Sequence, residues 1–204
     1  SAESARALQR FAESWQLPVA CGFRFQDCFD NRHPQYAGDV GIGINPKLAA
    51  RVREADLILA IGVRLGEMTT GGYEHLAVPR PAQTLVHLHP GAEELGRVYA
   101  ADLMLQCSLS LAGQALETLA APVQVPWAAW TAAARADYEG NLVAAAVEPL
   151  DMTQLVKTLN RLVPENTVYT NGAGNFSAWL HRFTPYLPLH QHGRTQLAPT
   201  SGSM

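Results

Sequence analysis

Asp56-Leu57-Ile58-Leu59-Ala60-Ile61-Gly62 is the stretch on which the fold turns. An unbroken apolar run ends in glycine, with no polar residue at helical spacing. So short a run, bounded by turn formers, suits a strand buried on both faces of a parallel sheet. Downstream, Thr84 to His89 (TLVHLH, closed by Pro90) and Asp102 to Cys107 (DLMLQC) read as two more strands. Upstream, residues 17–22 (LPVACG) read as a short buried strand. Helical spacing fills the gaps. Residues 4–16 put Ala5, Leu8, Phe11, Ala12 and Trp15 on one face, with Ser4 as the N-cap. Asn45-Pro46 opens a second helix, with Pro at its first position and Leu48, Val52 and Ala55 on the apolar face. Ser108 caps a third helix reaching Leu119. Residues 27–43 (DCFDNRHPQYAGDVGIG) are rich in turn formers and read as loop. This alternation predicts an α/β fold: a doubly wound, mostly parallel Rossmann-like sheet flanked by helices, followed by an incomplete second α/β unit.

Three segments follow. Residues 1–120 form the first unit. Residues 121–150, punctuated by Pro122, Pro126 and Pro149, read as a linker carrying one helix around Trp127–Tyr138. Residues 151–204 open a second unit. There Asp151 caps a helix with Met152, Leu155, Val156, Leu159 and Leu162-Val163 inward, and Thr167–Thr170 is a strand. Another helix begins near Ser177. No closing strand is expected before the chain stops, so this unit reads as truncated.

Composition narrows the function. Hydrophobic residues make up 48% of the 204 and charged residues 16%, which favours a well-buried core over disorder. The net charge is -3, the sequence pI about 6.1, and no basic run occurs, so nucleic acid is not an expected partner. No apolar run approaches the ~18–20 residues that cross a bilayer, so no membrane association is expected. The start carries no signal-peptide pattern and no initiator Met, which suggests a trimmed piece. Cys21, Cys28 and Cys107 are odd in number and form no C-x-x-C pair, which argues against a disulfide framework or a zinc site. A reducing cytoplasm is the simplest location. Cys21, Cys107, Met68, Met104 and Met152 are expected as core fillers.

The most informative local feature is Asn171-Gly172-Ala173-Gly174-Asn175, between a strand and a helix. Glycines there let backbone amides approach an anion at a helix N-terminus. The pattern is not the full dinucleotide fingerprint, so diphosphate binding and a plain tight turn both stay open. Gly41-x-Gly43 precedes a helix and is either a phosphate contact or a loop that needs glycine. Arg64 follows the DLILAIG strand, where α/β sheets bind ligands. It can pair with a phosphate or carboxylate, or form a structural ion pair. His87 and His89 share a strand face without a third ligand at suitable spacing, so a structural role is favoured over a metal. His190-x-His192 reads as solvated loop. No Ser-His-Asp order, nucleophile elbow or P-loop occurs.

DCFDNRHPQYAGDVGIGINPKLAARVREADLILAIGVRLGEMTT resembles the central domain of thiamine-diphosphate enzymes, in which "HP.Y.G..G" precedes a helix and "ADL.L..G.R" forms the next strand and turn. VYTNGAGNFSAWLHR followed by QLAPTSGSM resembles the start of that family's diphosphate-binding domain, and acetolactate synthases are closest in character. The resemblance implies that Gly172, Gly174, Asn175 and Phe176 touch the cofactor's diphosphate. It implies that Met204 is the apolar wedge bending thiamine diphosphate into its V shape. The intact parent is then expected to act on a 2-oxo acid, pyruvate first, with thiamine diphosphate and Mg2+, as a homodimer or homotetramer. The family's catalytic Glu and its magnesium motif lie outside these 204 residues. The piece alone is therefore expected to have no catalytic residue of its own, to bind little or no cofactor and to be inactive. Flavin-binding members carry a loop unlike GIGIN, which argues against FAD. His87-Leu88-His89 also departs from the acidic pair common on that strand. Family members open with a strand before the first helix. This chain opens at the helix, so a strand inside the sheet is expected to be missing. A noncatalytic FAD-, NAD- or ADP-binding domain or scaffold of related fold is the alternative.

Overall fold

The computed structural model describes residues 2–172, 174–188 and 195–197. The first unit contains α1 (Ala2–Ser14), β1 (Val19–Gly22), β2 (Tyr36–Val40), α2 (Pro46–Glu54), β3 (Leu57–Ile61), β4 (Thr84–His89), β5 (Leu103–Gln106) and α3 (Leu109–Glu117). Then come α4 (Ala128–Asn141), α5 (Met152–Leu162), β6 (Val168–Thr170), α6 (Ser177–Phe183) and β7 (Thr195–Leu197). Every strand pairing is parallel. The protein is an α/β chain of parallel sheets flanked by helices, as the alternation predicts.

The caps are those the sequence indicates. Asn45 accepts from the Lys47 amide with Pro46 at the first helical position. Ser108 accepts from the Leu111 amide at 3.2 Å and Asp151 from the Gln154 amide at 3.1 Å. Each satisfies a first-turn donor that has no partner inside its helix. Helix α1 starts earlier than expected, at Ala2, so Ser4 lies within its first turn and is not its cap.

The first unit holds two sheets, β1-β2 and β3-β4-β5. Strands β1 and β3 each have a neighbour on one side, and among the described residues no strand joins the two sheets. Separate cores follow. Ala12, Cys21, Phe29 and Tyr36 pack together against Tyr138, while Ala60, Leu76, Leu85 and Tyr99 pack under the second sheet. On β3 only Ala60 is fully buried and Leu57 is 52% exposed, so the expected burial on both faces is not reached.

Further expectations are corrected. Residues 36–40 (YAGDV), read as loop, form β2, held by parallel pairing with β1. The helix expected within residues 121–150 forms as α4 and packs on the first unit. Thr131 and Ala134 of α4 are buried, and the Thr131 hydroxyl donates to the Gln16 carbonyl at 2.8 Å. The Asp137 carboxylate takes Lys47 at 2.8 Å and Arg51 Nε at 3.0 Å. These bonds make α4 a third wall over β2 and α2. Strand β7, where no closing strand was expected, pairs with β6. On α5 only Thr153 and Val156 are buried, whereas Leu155, Leu159 and Leu162 are exposed. Of the expected core fillers Cys21 is buried, Cys107 is intermediate, and Met68 and Met104 are exposed. No helix among the described residues is long and apolar enough to cross a membrane.

Candidate functional site

The glycine turn begins where β6 ends. Asn160 holds this unit together, accepting from the Tyr169 hydroxyl at 3.0 Å and donating to the Phe183 carbonyl at 2.9 Å. Within the turn the Asn171 amide group donates to the Gly172 carbonyl at 2.9 Å. The Ser177 amide and hydroxyl both donate to the Gly174 carbonyl, at 2.9 and 2.7 Å. The Ala178 and Trp179 amides go to Asn175 and Phe176 carbonyls. The Phe176 ring lies over the turn. A Cβ on Gly174 would sit 2.7 Å from its Cε1, closer than real contacts allow, and one on Gly172 would sit 3.5 Å from its Cζ. Gly172, Gly174, Asn175 and Phe176 are thus one surface, and Asn175 and Phe176 are exposed on it. A strand, a glycine turn roofed by an aromatic ring and a helix make a shallow cradle there. Met204, His190 and His192 lie outside the described residues. Among the described residues no three Asp, Glu, His or Cys side chains converge to hold a metal ion.

The segment that follows α6 is fixed against the first unit through Asn31. Its side-chain nitrogen donates to the Gln26 and Phe29 carbonyls at 2.8 and 2.9 Å. Its side-chain oxygen accepts from the Tyr186 amide at 3.0 Å, and its own amide donates to the Tyr186 carbonyl at 3.1 Å. Arg135 of α4 braces the same segment, donating to the carbonyls of Asn31 at 2.8 Å and His33 at 3.0 Å. His33 meets Glu13 at 2.7 Å. The DNRHPQY stretch is therefore a joint between α1, α4 and the second unit. Nearby, burial pushes the Asp39 carboxyl up to about 6. Sequence reading singled out neither Asn31, Asp39 nor Arg135.

Arg64 sits elsewhere, in a cavity of about 210 Å³ lined also by Tyr73, His87, Glu94, Arg97 and Tyr99. It pairs with Glu94 at 2.7 Å, and Arg97 pairs with the same oxygen at 2.9 Å. The Arg64 hydrogen bond, first, and the second guanidinium hold the Glu94 carboxyl below its ordinary value. His87 is buried and its Nε2 bonds the Val63 carbonyl at 2.9 Å, in keeping with a structural role. Burial lowers its pKa, so the ring is neutral at pH 7. Gly41 is buried against Phe23, and a Cβ on Gly43 would meet open space. Neither lines the Arg64 cavity. The signal that finds Glu94, Arg97 and Tyr99 is their position just after the β4 C-terminus, where ligands of α/β sheets bind.

Comparison with known proteins gives these features a context. The family described as "Thiamine pyrophosphate enzyme, central domain" matches residues 1–122. The chain is 25% identical over 185 residues to the acetolactate synthase isozyme 2 large subunit of Escherichia coli K12, covering 87% of this chain and 31% of that protein. It is 22% identical over 191 residues to the acetolactate synthase of Mycobacterium leprae, covering 90% of this chain and 30% of that protein. It is 34% identical over 64 residues to the sulfoacetaldehyde acetyltransferase of Roseovarius nubinhibens, covering 31% of this chain and 11% of that protein. The chain thus spans under a third of the length of these relatives. With more than half of its residues matching the family and parallel strands alternating with helices across the match, this chain belongs to the thiamine pyrophosphate enzymes and carries their central domain.

Proposed function

We propose that the chain is the middle of a thiamine-diphosphate-dependent carboligase or decarboxylase of the acetolactate synthase type. Its parent takes a 2-oxo acid, pyruvate first, in the cytoplasm as a homodimer or homotetramer. The observation that carries this reading is the glycine cradle at 172–176, joined to a central domain in one chain. The acetolactate synthase alignments cover 87% and 90% of the chain, so they run past residue 122 toward that cradle. Thiamine diphosphate, when bound, supplies the electron sink for losing CO2 from a 2-oxo acid. In this chain Gly172 and Gly174 let the backbone approach the diphosphate, and Phe176 roofs the turn. Met204 is proposed as the apolar wedge under the cofactor. Mg2+ is proposed to be held by residues beyond those described. Residues 1–120, 121–150 and 151–204 are proposed as central domain, connecting segment and start of the diphosphate-binding domain. A strand between β1 and β3 is proposed to complete the sheet, since among the described residues each presents one unpaired edge.

The test uses the complete gene product, supplied with pyruvate, thiamine diphosphate and Mg2+. Release of CO2 with formation of a carboligation product is expected. A complete protein that binds thiamine diphosphate yet leaves every 2-oxo acid untouched would refute the enzyme reading. A stabilising shift with FAD, NAD or ADP alone would favour the noncatalytic alternative, with Gly41, Gly43 and Arg64 as contacts.

A further inference from the structure

We infer that Asn31 of the first unit is a positioning residue for the glycine turn: through Tyr186 and α6 it sets how Gly172 and Gly174 meet the cofactor's diphosphate. The inference rests on the carboligase reading and gives a role to a residue outside the turn.

The unit that carries the turn has little core of its own. Strand β6 is three residues long with only Tyr169 buried, and on α5 only Thr153 and Val156 are buried. Segments with so few buried contacts open at low free energy, so the geometry of the turn depends on what holds the unit in place. A continuous path of bonds does so. The Asn31 side-chain nitrogen is held by the Gln26 and Phe29 carbonyls, which fixes the residue in the first unit. Its side-chain oxygen accepts from the Tyr186 amide at 3.0 Å, and its own amide donates to the Tyr186 carbonyl at 3.1 Å. The Tyr186 hydroxyl turns back onto α6 and donates to the Leu180 carbonyl at 3.2 Å. From Leu180 the helix runs back to the turn, where the Ser177 amide and hydroxyl both hold the Gly174 carbonyl. Asn31 and Tyr186 are both buried, so water does not substitute for these bonds. Arg182 also ties α6 to the end of α4, donating to the Asn141 carbonyl at 2.6 Å, but that bond is exposed and water replaces it readily. A turn held in its binding geometry before the cofactor arrives lowers the ordering cost of binding. Loosening it therefore weakens affinity without touching the reacting atoms.

The test uses the complete gene product. Tyr186→Phe keeps the ring and the bonds to Asn31 and removes the hydroxyl on the Leu180 carbonyl, which still accepts from the Thr184 amide, so this variant folds. Asn31→Ala cuts the path at its root. Calorimetry reads the Kd of thiamine diphosphate, hydrogen exchange with mass spectrometry reads the peptide spanning the turn and α6, and kcat is taken at saturating cofactor. Tyr186→Phe is expected to raise the Kd about fivefold and Asn31→Ala at least about tenfold, each with faster exchange at the turn and a smaller fall in kcat than in affinity. Leu85→Ala, in the separate core under the second sheet, is the control for general loss of stability and should leave the Kd alone. A joint with a structural role only would lower the fraction of active protein in all three variants and leave the Kd at its wild-type value. Wild-type binding with an unshifted Kd in Tyr186→Phe, or a shift as large in Leu85→Ala, would overturn the positioning role alone. A wild-type protein that binds no thiamine diphosphate would instead overturn the carboligase reading, and the positioning role with it.

Discussion

Replacing Asn31 with Ala tests how the second unit is held against the first. Asn31 is 3% exposed and Tyr186 is 0% exposed, so water cannot replace the bonds between them. The substitution removes three side-chain hydrogen bonds, to Gln26, Phe29 and Tyr186. At about 1 kcal/mol for each bond the loss is about 3 kcal/mol, and the stranded Tyr186 N–H makes this a lower figure. For a chain of this size that corresponds to a fall in Tm of about 6–12 °C. Urea unfolding reads the free energy, and native-state hydrogen exchange reads the joint itself. The Tyr186 amide should lose its protection in the variant while amides of β4 keep theirs, because β4 belongs to a separate core. A loss under about 1 kcal/mol with Tyr186 still protected would refute the joint as drawn.

Other expectations follow from neighbouring groups. Asp39 has its folded pKa raised to about 6 from an ordinary 3.8, so its folded form holds a proton that the unfolded chain releases. Its contribution is therefore fully present below about pH 4 and is lost as pH rises toward 6; Asp39→Asn should stabilise the chain by up to about 3 kcal/mol at pH 8 and by far less at pH 4, read by urea melts at both. Arg135→Ala removes charge-assisted bonds to the Asn31 and His33 carbonyls and should cost about 2 kcal/mol in the same assay. Gly174→Ala should change unfolding by less than about 1 kcal/mol, because the half-exposed Phe176 ring can swing aside, yet weaken thiamine diphosphate binding by the complete gene product at least about tenfold by calorimetry.

Strands β3, β4 and β5 were legible because each is an apolar run closed by a turn former or a polar cap. Helices α2, α3 and α5 announced themselves by Asn45-Pro46, Ser108 and Asp151, whose capping bonds are local and need only a few residues to specify. The strand and helix flanking the glycines were legible for the same reason, since they follow one another within residues 168–183. Strand β2 was not. Its sequence YAGDV carries Gly38 and Asp39, both strand-averse, and only pairing with β1 and the cover of α4 extend it. Helix α4 was seen as a helix but not as a wall, because its buried positions are the small Thr131 and Ala134 and its bonds reach back more than eighty residues. Asn31 meets Tyr186 across 155 positions, a contact that no local pattern encodes. The Arg64 cavity was half legible: the strand end pointed to Arg64, but its partners come from the next crossover.

The places where pattern reading over-predicted burial share one cause. Leu57 on β3 and Leu155, Leu159 and Leu162 on α5 are apolar at the spacing of buried faces, yet they stand open to solvent. A leucine contributes roughly 2 kcal/mol when its side chain leaves water, so each such residue implies a surface that is completed by something else. The edge of β3 faces the same requirement through its backbone, because its amides and carbonyls on that side lack a strand partner among the described residues. Among the described residues the open edges of β1 and β3 mark the one location for such a strand. A parallel strand there would bury Leu57, pair both edges and merge two small sheets into one. Adding a five- or six-residue apolar strand ahead of Ala2 by a glycine turn should therefore raise stability and protect the β1 and β3 amides from exchange together. Protection of one edge without the other would show that the two sheets are not halves of a single one.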